Sequence, residues 1–377
     1  MSLSTEGALT MRIAWLLLAA SISCISSVQA ATWQEANKQS VEYMEAGDLK
    51  RASASAEDAV KLYAARDSIK PENLATLILV WADIHRQFDD WRGAERAVKK
   101  GISTFRSRVG EGDYAIVALY KEQAQILRRG GDYDGMYRAW MRALGLGENI
   151  LGGDSIGYAD LKMEAVRALK QFRQYSWLDA QLKVARDIYV NKLGPDHKAT
   201  VLPEFELAKL SLEAEHLDTA YERYVALLDR IDPLDDDLTD LRLTATGHLM
   251  AIYRKRGKEE LVDELFAKLL ASPLPDMDAK LLIGELPEIR SSTAGSSDGG
   301  TVLVEYEIGT DGRARNMRLV SNSAHKSFYD AVKREVENYW RYLPARRGGE
   351  PVVTPAYQLR ASLTVSREAR TGSRLAN

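Results

Sequence analysis

The chain has 377 residues, 45% hydrophobic and 28% charged, with a formal net charge of −3. This is the composition of a globular protein of two or three units, and it excludes a collagen-like, disulfide-framework or largely disordered chain. The near-neutral balance gives no electrostatic reason to expect a nucleic acid, and the single cysteine, Cys24, excludes an intrachain disulfide or a cysteine-based zinc site. The first predicted element is an address. Arg12, an apolar run over 13–20 and small residues ending Val28-Gln29-Ala30 have the layout of a secretory signal, with cleavage after Ala30. Residues 1–30 therefore read as a signal peptide, with Met11 as an alternative start. An uncleaved anchor over 13–30 is the competing reading. It is weakened by four serines and Gln29, because spanning takes about 20 mostly apolar residues. Lipidation of Cys24 is a third route, but Ser21 stands where a lipoprotein signal usually has leucine.

From 31 to 272 the chain repeats with a period of 42 residues. Anchored on Asp48, the repeat passes through Asp90, Asp132, Gln174, His216 and Lys258. Four residues on lie Ala52, Ala94, Met136, Leu178, Ala220 and Val262; eight on lie Ala56, Val98, Trp140, Leu182, Tyr224 and Phe266. Eleven on lie Ala59, Gly101, Ala143, Ala185, Leu227 and Leu269, so the set falls on one helix face. Eight before the anchor stand Ser40, Ala82, Ala124, Val166, Ala208 and Met250, mostly small, where a first helix would press on the second.

This pattern resembles the tetratricopeptide repeat in the longer form found in kinesin light chains. The matching residues are the turn Gly131-Asp132-Tyr133 and the connector Leu193-Gly194-Pro195-Asp196-His197. The resemblance implies a mainly α fold, a superhelix of six helix-turn-helix repeats whose concave groove binds protein or peptide without catalysis. Four positions before each anchor stand Met44, Arg86, Arg128, Lys170, Leu212 and Arg254, with Arg129, Arg167, Lys209 and Lys255 at neighbouring offsets. One reading is a basic trough for an acidic segment or a terminal carboxylate. The other is that cations near helix C-termini answer the macrodipole.

Pro273, Pro275 and Pro287 break the helical pattern, and a Ser/Gly-rich stretch completes a linker over 273–300. Strand alternation then begins with Val302, Val304, Tyr306 and Ile308, and Asp311-Gly312 marks a hairpin. Phe328, Ala331, Val332, Val336 and Tyr339 fall at helical spacing, and Tyr357, Leu359, Ala361, Leu363 and Val365 alternate again. The order is β-β-α-β, a small α+β module over 301–366, followed by a tail over 367–377 expected to be disordered. Together with Trp340-Arg341-Tyr342-Leu343-Pro344-Ala345 and Gly349-Glu350-Pro351-Val352, this module resembles the C-terminal domain of TonB-family proteins. The family carries inner-membrane energy to outer-membrane transporters, and its last strand pairs with a short receptor segment. The resemblance implies partner contact through Arg341, Tyr342, Pro344, Tyr357, Leu359, Ala361 and Leu363. A strand pairing only within its module, or with a second copy in a homodimer, is the alternative. Residues 301–374 hold 13 Lys/Arg against 8 Asp/Glu, a charge suited to an acidic receptor segment or envelope polymer. A full TonB transducer also has an uncleaved membrane helix and a long Pro-rich spacer. Here the chain has ten prolines, and repeats stand where the spacer would be.

Catalytic motifs lead nowhere specific. Gly153-Asp154-Ser155-Ile156-Gly157 matches a nucleophile elbow, but it lies between two repeats, where Asp154 or Ser155 suits a helix cap. His85, His197, His216, His248 and His325 lack metal-ligand spacing, no phosphate loop is present, and Asp235-Asp236-Asp237 reads as a solvated connector. No cofactor, metal or enzymatic activity is expected. The leading expectation is a periplasmic interaction protein. Its repeats would hold one protein partner, while its terminal module contacts an outer-membrane TonB-dependent receptor or another envelope component. Two alternatives stand beside it. One is a membrane-anchored energy transducer engaging the inner-membrane motor. The other is an envelope scaffold whose module only dimerises or binds cell-wall polymer.

Overall fold

The computed structural model describes residues 32–195, 197–232, 234–286 and 300–363. The expected signal segment, Asp196 of the connector, the Ser/Gly-rich stretch before Gly300, Val365 and the tail lie outside the described residues. The chain divides into two compact units between Gln174 and Tyr175. The first contains α1 (Trp33–Glu45), α2 (Leu49–Ala64), α3 (Pro71–Gln87), α4 (Trp91–Arg108), α5 (Ala115–Arg129), α6 (Tyr133–Leu151) and α7 (Ile156–Leu169). The second opens with α8 (Tyr175–Leu193), α9 (Lys198–Glu213), α10 (Leu217–Arg230), α11 (Thr239–Lys255) and α12 (Glu259–Leu270). Within each unit every helix packs on the next in sequence, the arrangement of tetratricopeptide-like hairpins. Among the described residues no helix is long and apolar enough to cross a membrane.

The 42-residue period has a backbone cause. Positive φ recurs at Gly47, Asp89, Gly131, Arg173, Glu215 and Gly257, one residue before each anchor. This left-handed residue ends the first helix of a hairpin and turns the chain into the second. The anchor then caps that second helix where it is aspartate. Asp48, Asp90 and Asp132 accept from the amides of Arg51, Gly93 and Gly135, whereas His216 and Lys258 make no side-chain cap bond. The apolar offsets close the hairpins. Ala52, Ala94, Met136, Leu178, Ala220 and Val262 are all buried, and so are the small residues Ser40, Ala82, Ala124 and Ala208 facing them.

After α12 come β1 (Lys280–Ile283), β2 (Gly300–Ile308), β3 (Ala314–Asn322), α13 (Lys326–Asn338), β4 (Arg341–Leu343), β5 (Ala345–Arg347), β6 (Glu350–Val352) and β7 (Thr354–Leu363). The main sheet runs β3-β2-β7, all antiparallel, while β1 pairs with β4 and β5 with β6. The inward residues of β2 (Val302, Val304, Tyr306 and Ile308) meet Phe328, Val332 and Val336 of α13, with Trp340, Tyr342 and Ala361 completing the core. The expected β-β-α-β order is present, with short strands added between α13 and β7. One of their partners, β1, lies inside the stretch read as linker. Pairing to β4 explains why four residues between prolines form a strand: tertiary contact overrides a composition that reads as loop.

Candidate functional site

The terminal module sits directly on the last helix pair of its own unit. Leu243 and Met250 of α11, Val262, Phe266 and Leu269 of α12, Leu274, Ile283 of β1 and Leu343 of β4 form one buried cluster. Gly247 lets the β1 backbone approach α11, since a Cβ there would stand 2.6 Å from the carbonyl oxygen of Leu282. Around this apolar contact lies a ring of polar bonds. Arg341, only 3% exposed, bonds Asp263 of α12 at 2.9 Å and spends its remaining donor on the carbonyls of Asn338 and Trp340. Arg313 reaches the same carboxylate at 3.2 Å. Arg346 donates to the Leu270 carbonyl at 2.6 Å, placing a guanidinium at the negative end of α12. The amides of Gly348 and Gly349 each donate at 2.8 Å to Asp276, and those bonds hold its carboxyl below the usual carboxylate value. Arg254 donates to the Tyr339 carbonyl at 2.6 Å and pairs with Glu259 at 2.9 Å.

This geometry sorts the residues implied for partner contact. Arg341, Tyr342 and Pro344 are buried. Tyr342 hydrogen-bonds Tyr306 at 2.5 Å between hydroxyls, and burial pushes the Tyr306 phenol up to about 12 and the Tyr342 phenol higher still. Those three residues build the module and its seat on α12. Along β7, Ala361 is buried and Tyr357 and Leu359 pack against the same core, while Gln358, Arg360 and Ser362 are exposed. Leu363 pairs with Gly300 at the end of the strand. Within the β3-β2-β7 sheet β7 is an edge. Its register with β2 runs without a break from Gly300↔Leu363 to Tyr306↔Tyr357, whereas the β2–β3 pairing is interrupted twice. Bulges blunt an edge, so the stretch of β7 from Tyr357 to Leu363, beyond its own irregularity at Thr354–Tyr357, is the better template for an added strand. What it offers is backbone N–H and C=O groups with Gln358, Arg360 and Ser362 alongside. A hollow of about 410 Å3 lies at its start, lined by Val352, Val353, Pro355 and Tyr357 with the Arg347–Asp278 pair at 2.6 Å.

The basic residues of the repeats also divide. In the first unit Arg86, Arg128 and Arg129 line one hollow of about 380 Å3 together with Trp91, Gln125 and Glu122. Arg86 is already paired, to Glu122 at 2.5 Å and Asp83 at 3.4 Å. Arg128, Arg129 and Arg167 are exposed and have no ion-pair partner among the described residues. Lys170 opens a short 3-10 turn and is partly buried. In the second unit Lys209 is half-buried and Lys255 exposed, while Arg254 is committed to the module. The structure thus gathers Arg86, Arg128 and Arg129 at one site. The contacts missed in sequence were Asp263, Asp276, Arg313 and Arg346, whose partners lie 50 to 78 residues away and leave no local pattern.

Ser155 is the N-cap of α7, accepting from the Tyr158 amide at 3.1 Å, so the elbow-like motif is a helix start. Among the described residues no three His, Cys, Asp or Glu side chains gather in a metal-binding group.

Residues 296–360 match the family model for the Gram-negative bacterial TonB protein C-terminal domain. The repeats are similar in fold to several solved structures. BtubC (BKLC) from P. vanneervenii is 21% identical, with 63% of this chain and 98% of that chain covered and a TM-score of 0.43. A putative kinesin light chain with TPR-like repeats from Podosopora anserina is 15% identical, covering 54% and 95% at a TM-score of 0.44. A tetratricopeptide repeat protein from Parabacteroides merdae is 15% identical, covering 65% and 81% at 0.38. No curated protein matches the chain. The chain thus carries a stretch that matches the TonB C-terminal family model, preceded by helical hairpins of tetratricopeptide-like form.

Proposed function

We propose that this chain is an exported, periplasmic adaptor of the TonB family that joins two protein partners. The β7 edge takes up a short extended segment of an outer-membrane transporter or an associated envelope component, by strand addition. The hollow of Arg86, Arg128 and Arg129 holds an acidic segment of a second partner. The observation that carries the reading is the edge position of β7, in unbroken register with β2 over Tyr357–Leu363, with Arg360 and Gln358 exposed on the outward face of a stretch that matches the TonB C-terminal family model. Because the module is seated on α12 by a shared core and by Arg313, Arg341 and Arg346, and on Asp276 just beyond it by the Gly348 and Gly349 amides, a pull on the second unit's helices is passed to β7 without a slack tether.

A photoreactive residue at position 360, introduced in cells, tests this. The expected product is a crosslink to an outer-membrane transporter, lost when that transporter's periplasmic extension is deleted. Recovery of self-crosslinks alone would assign the edge to a homodimer and sink the receptor reading.

A further inference from the structure

A serine–histidine–carboxylate line lies in the first unit, on residues that no sequence motif marks. Ser53 is on α2, His85 in the last turn of α3, and Asp90 is the N-cap of α4. Ser53 Oγ stands 2.8 Å from His85 Nε2, and His85 Nδ1 stands 2.9 Å from Asp90 Oδ2. Burial pushes the Asp90 carboxyl up, but the Gly93 amide and His85 outweigh it and hold it below the usual value. An ionised carboxylate only accepts, so Nδ1 carries the proton and Nε2 is left as the acceptor for the Ser53 hydroxyl. Trp81 Nε1 donates to the same Oγ at 3.0 Å, which occupies one of its two lone pairs.

The surroundings favour proton transfer along this line. His85 sits in the last turn of α3 with the Ser53 hydroxyl on one ring nitrogen and the Asp90 carboxylate on the other. Gly93 makes the approach possible, since a Cβ there would stand 2.1 Å from His85 Nδ1. His85 is buried at 9% exposure while Ser53 stays partly exposed, so the base is shielded and the hydroxyl reachable. These are the relations of an activated nucleophile, a base in contact with it and a third group orienting the base.

We propose that Ser53 is an activated nucleophile and that the Ser53–His85–Asp90 line is a site for acyl transfer from small activated esters. Oγ attacks the ester carbonyl carbon, and the new Oγ–C bond replaces the bond to the leaving alkoxide. The Ser53 proton passes to His85 Nε2 and from there to the departing alkoxide. Water then retraces the path, giving its proton to His85 and releasing the free acid with Ser53 restored.

The test treats the folded full chain with a fluorophosphonate probe, followed by intact mass and peptide mapping. Wild type is expected to gain one adduct, at Ser53, and Ser53→Ala none. Asp90→Asn keeps an N-cap acceptor for the Gly93 amide but offers the imidazole the wrong partner, and is expected to slow labelling by about 100-fold or more. Should Asp90→Asn melt early, His85→Gln, which leaves the cap intact, makes the same comparison. No adduct at Ser53 in the wild type, or equal rates in wild type and these variants, overturns the proposal and leaves the line as a clasp joining α2, α3 and α4.

Discussion

Six residues one turn apart in the repeat, from Gly47 to Gly257, carry a left-handed backbone, and only three of them are glycine. At Asp89, Arg173 and Glu215 the side chain meets the steric cost of that conformation, about 1–2 kcal/mol for a residue with a Cβ. The next position shows the same erosion. Asp48, Asp90 and Asp132 cap their helices, and His216 makes no cap bond. Restoring Gly-Asp at 215–216 with Glu215→Gly and His216→Asp should therefore stabilise the α9–α10 hairpin by about 1 kcal/mol per substitution, after allowing for the extra chain entropy of glycine. Urea denaturation reads this as a higher midpoint at unchanged slope. A lower midpoint would mean that the turn needs the native side chains.

At the scale of elements, the module is held on α12 by contacts that a linker reading does not foresee. Arg341 is the clearest case. Its signature position in the TonB-like motif implied a partner contact, yet its guanidinium is buried and satisfied by Asp263 and two carbonyls. Asp263 is half exposed, so its own loss of a partner is cushioned by water, but Arg341 has no such recourse. Asp263→Ala should cost about 2 kcal/mol of stability, and much of that should return in the Asp263→Ala/Arg341→Met double variant, which removes the stranded charge. A double-mutant cycle by chemical denaturation measures it. Additive losses would show that the pair contributes nothing to the seat. Gly312 belongs to the same junction. With φ +70 and a would-be Cβ 2.1 Å from the Tyr342 carbonyl oxygen, it is a turn residue in sequence and a close-packing residue in the fold.

At the scale of the whole molecule, stability should fall on acidification. Asp48 is lowered by the Arg51 amide and side chain, and Asp276 by the Gly349 and Gly348 amides. Asp90 is lowered too, where the Gly93 amide and His85 overcome its burial. A carboxyl held below its ordinary value in the folded chain contributes stability above the ordinary range, about pH 4. That contribution is lost as the pH falls through the lowered value. The expected thermal midpoint is level near neutrality and drops below about pH 4. Asp276→Asn should lie below wild type at pH 7 and converge on it under acid conditions, where the wild-type carboxyl is protonated as well. A gap that stays constant with pH would show that the Asp276 bonds do not depend on its charge.

The amino-acid order alone determined the period, the hairpin faces and the β-β-α-β order, because each is written in local spacing: 42 residues between turns, three and four along a helix, two along a strand. It also placed Asp311-Gly312 at a turn and narrowed the cap of α7 to Asp154 or Ser155, since both are decided by backbone groups within three residues. Only the tertiary structure decided what those elements do to one another. That β1 pairs β4, that Arg341 and Arg346 fasten the module to α12, that Tyr357 and Ala361 face inward while Arg360 faces outward, and that Ser53, His85 and Asp90 meet in a line all depend on partners far apart in the chain. A side chain's period states which face it takes. What stands opposite that face is set by packing, which on this chain buries Arg341 against Asp263 and puts β7 at an edge of its sheet.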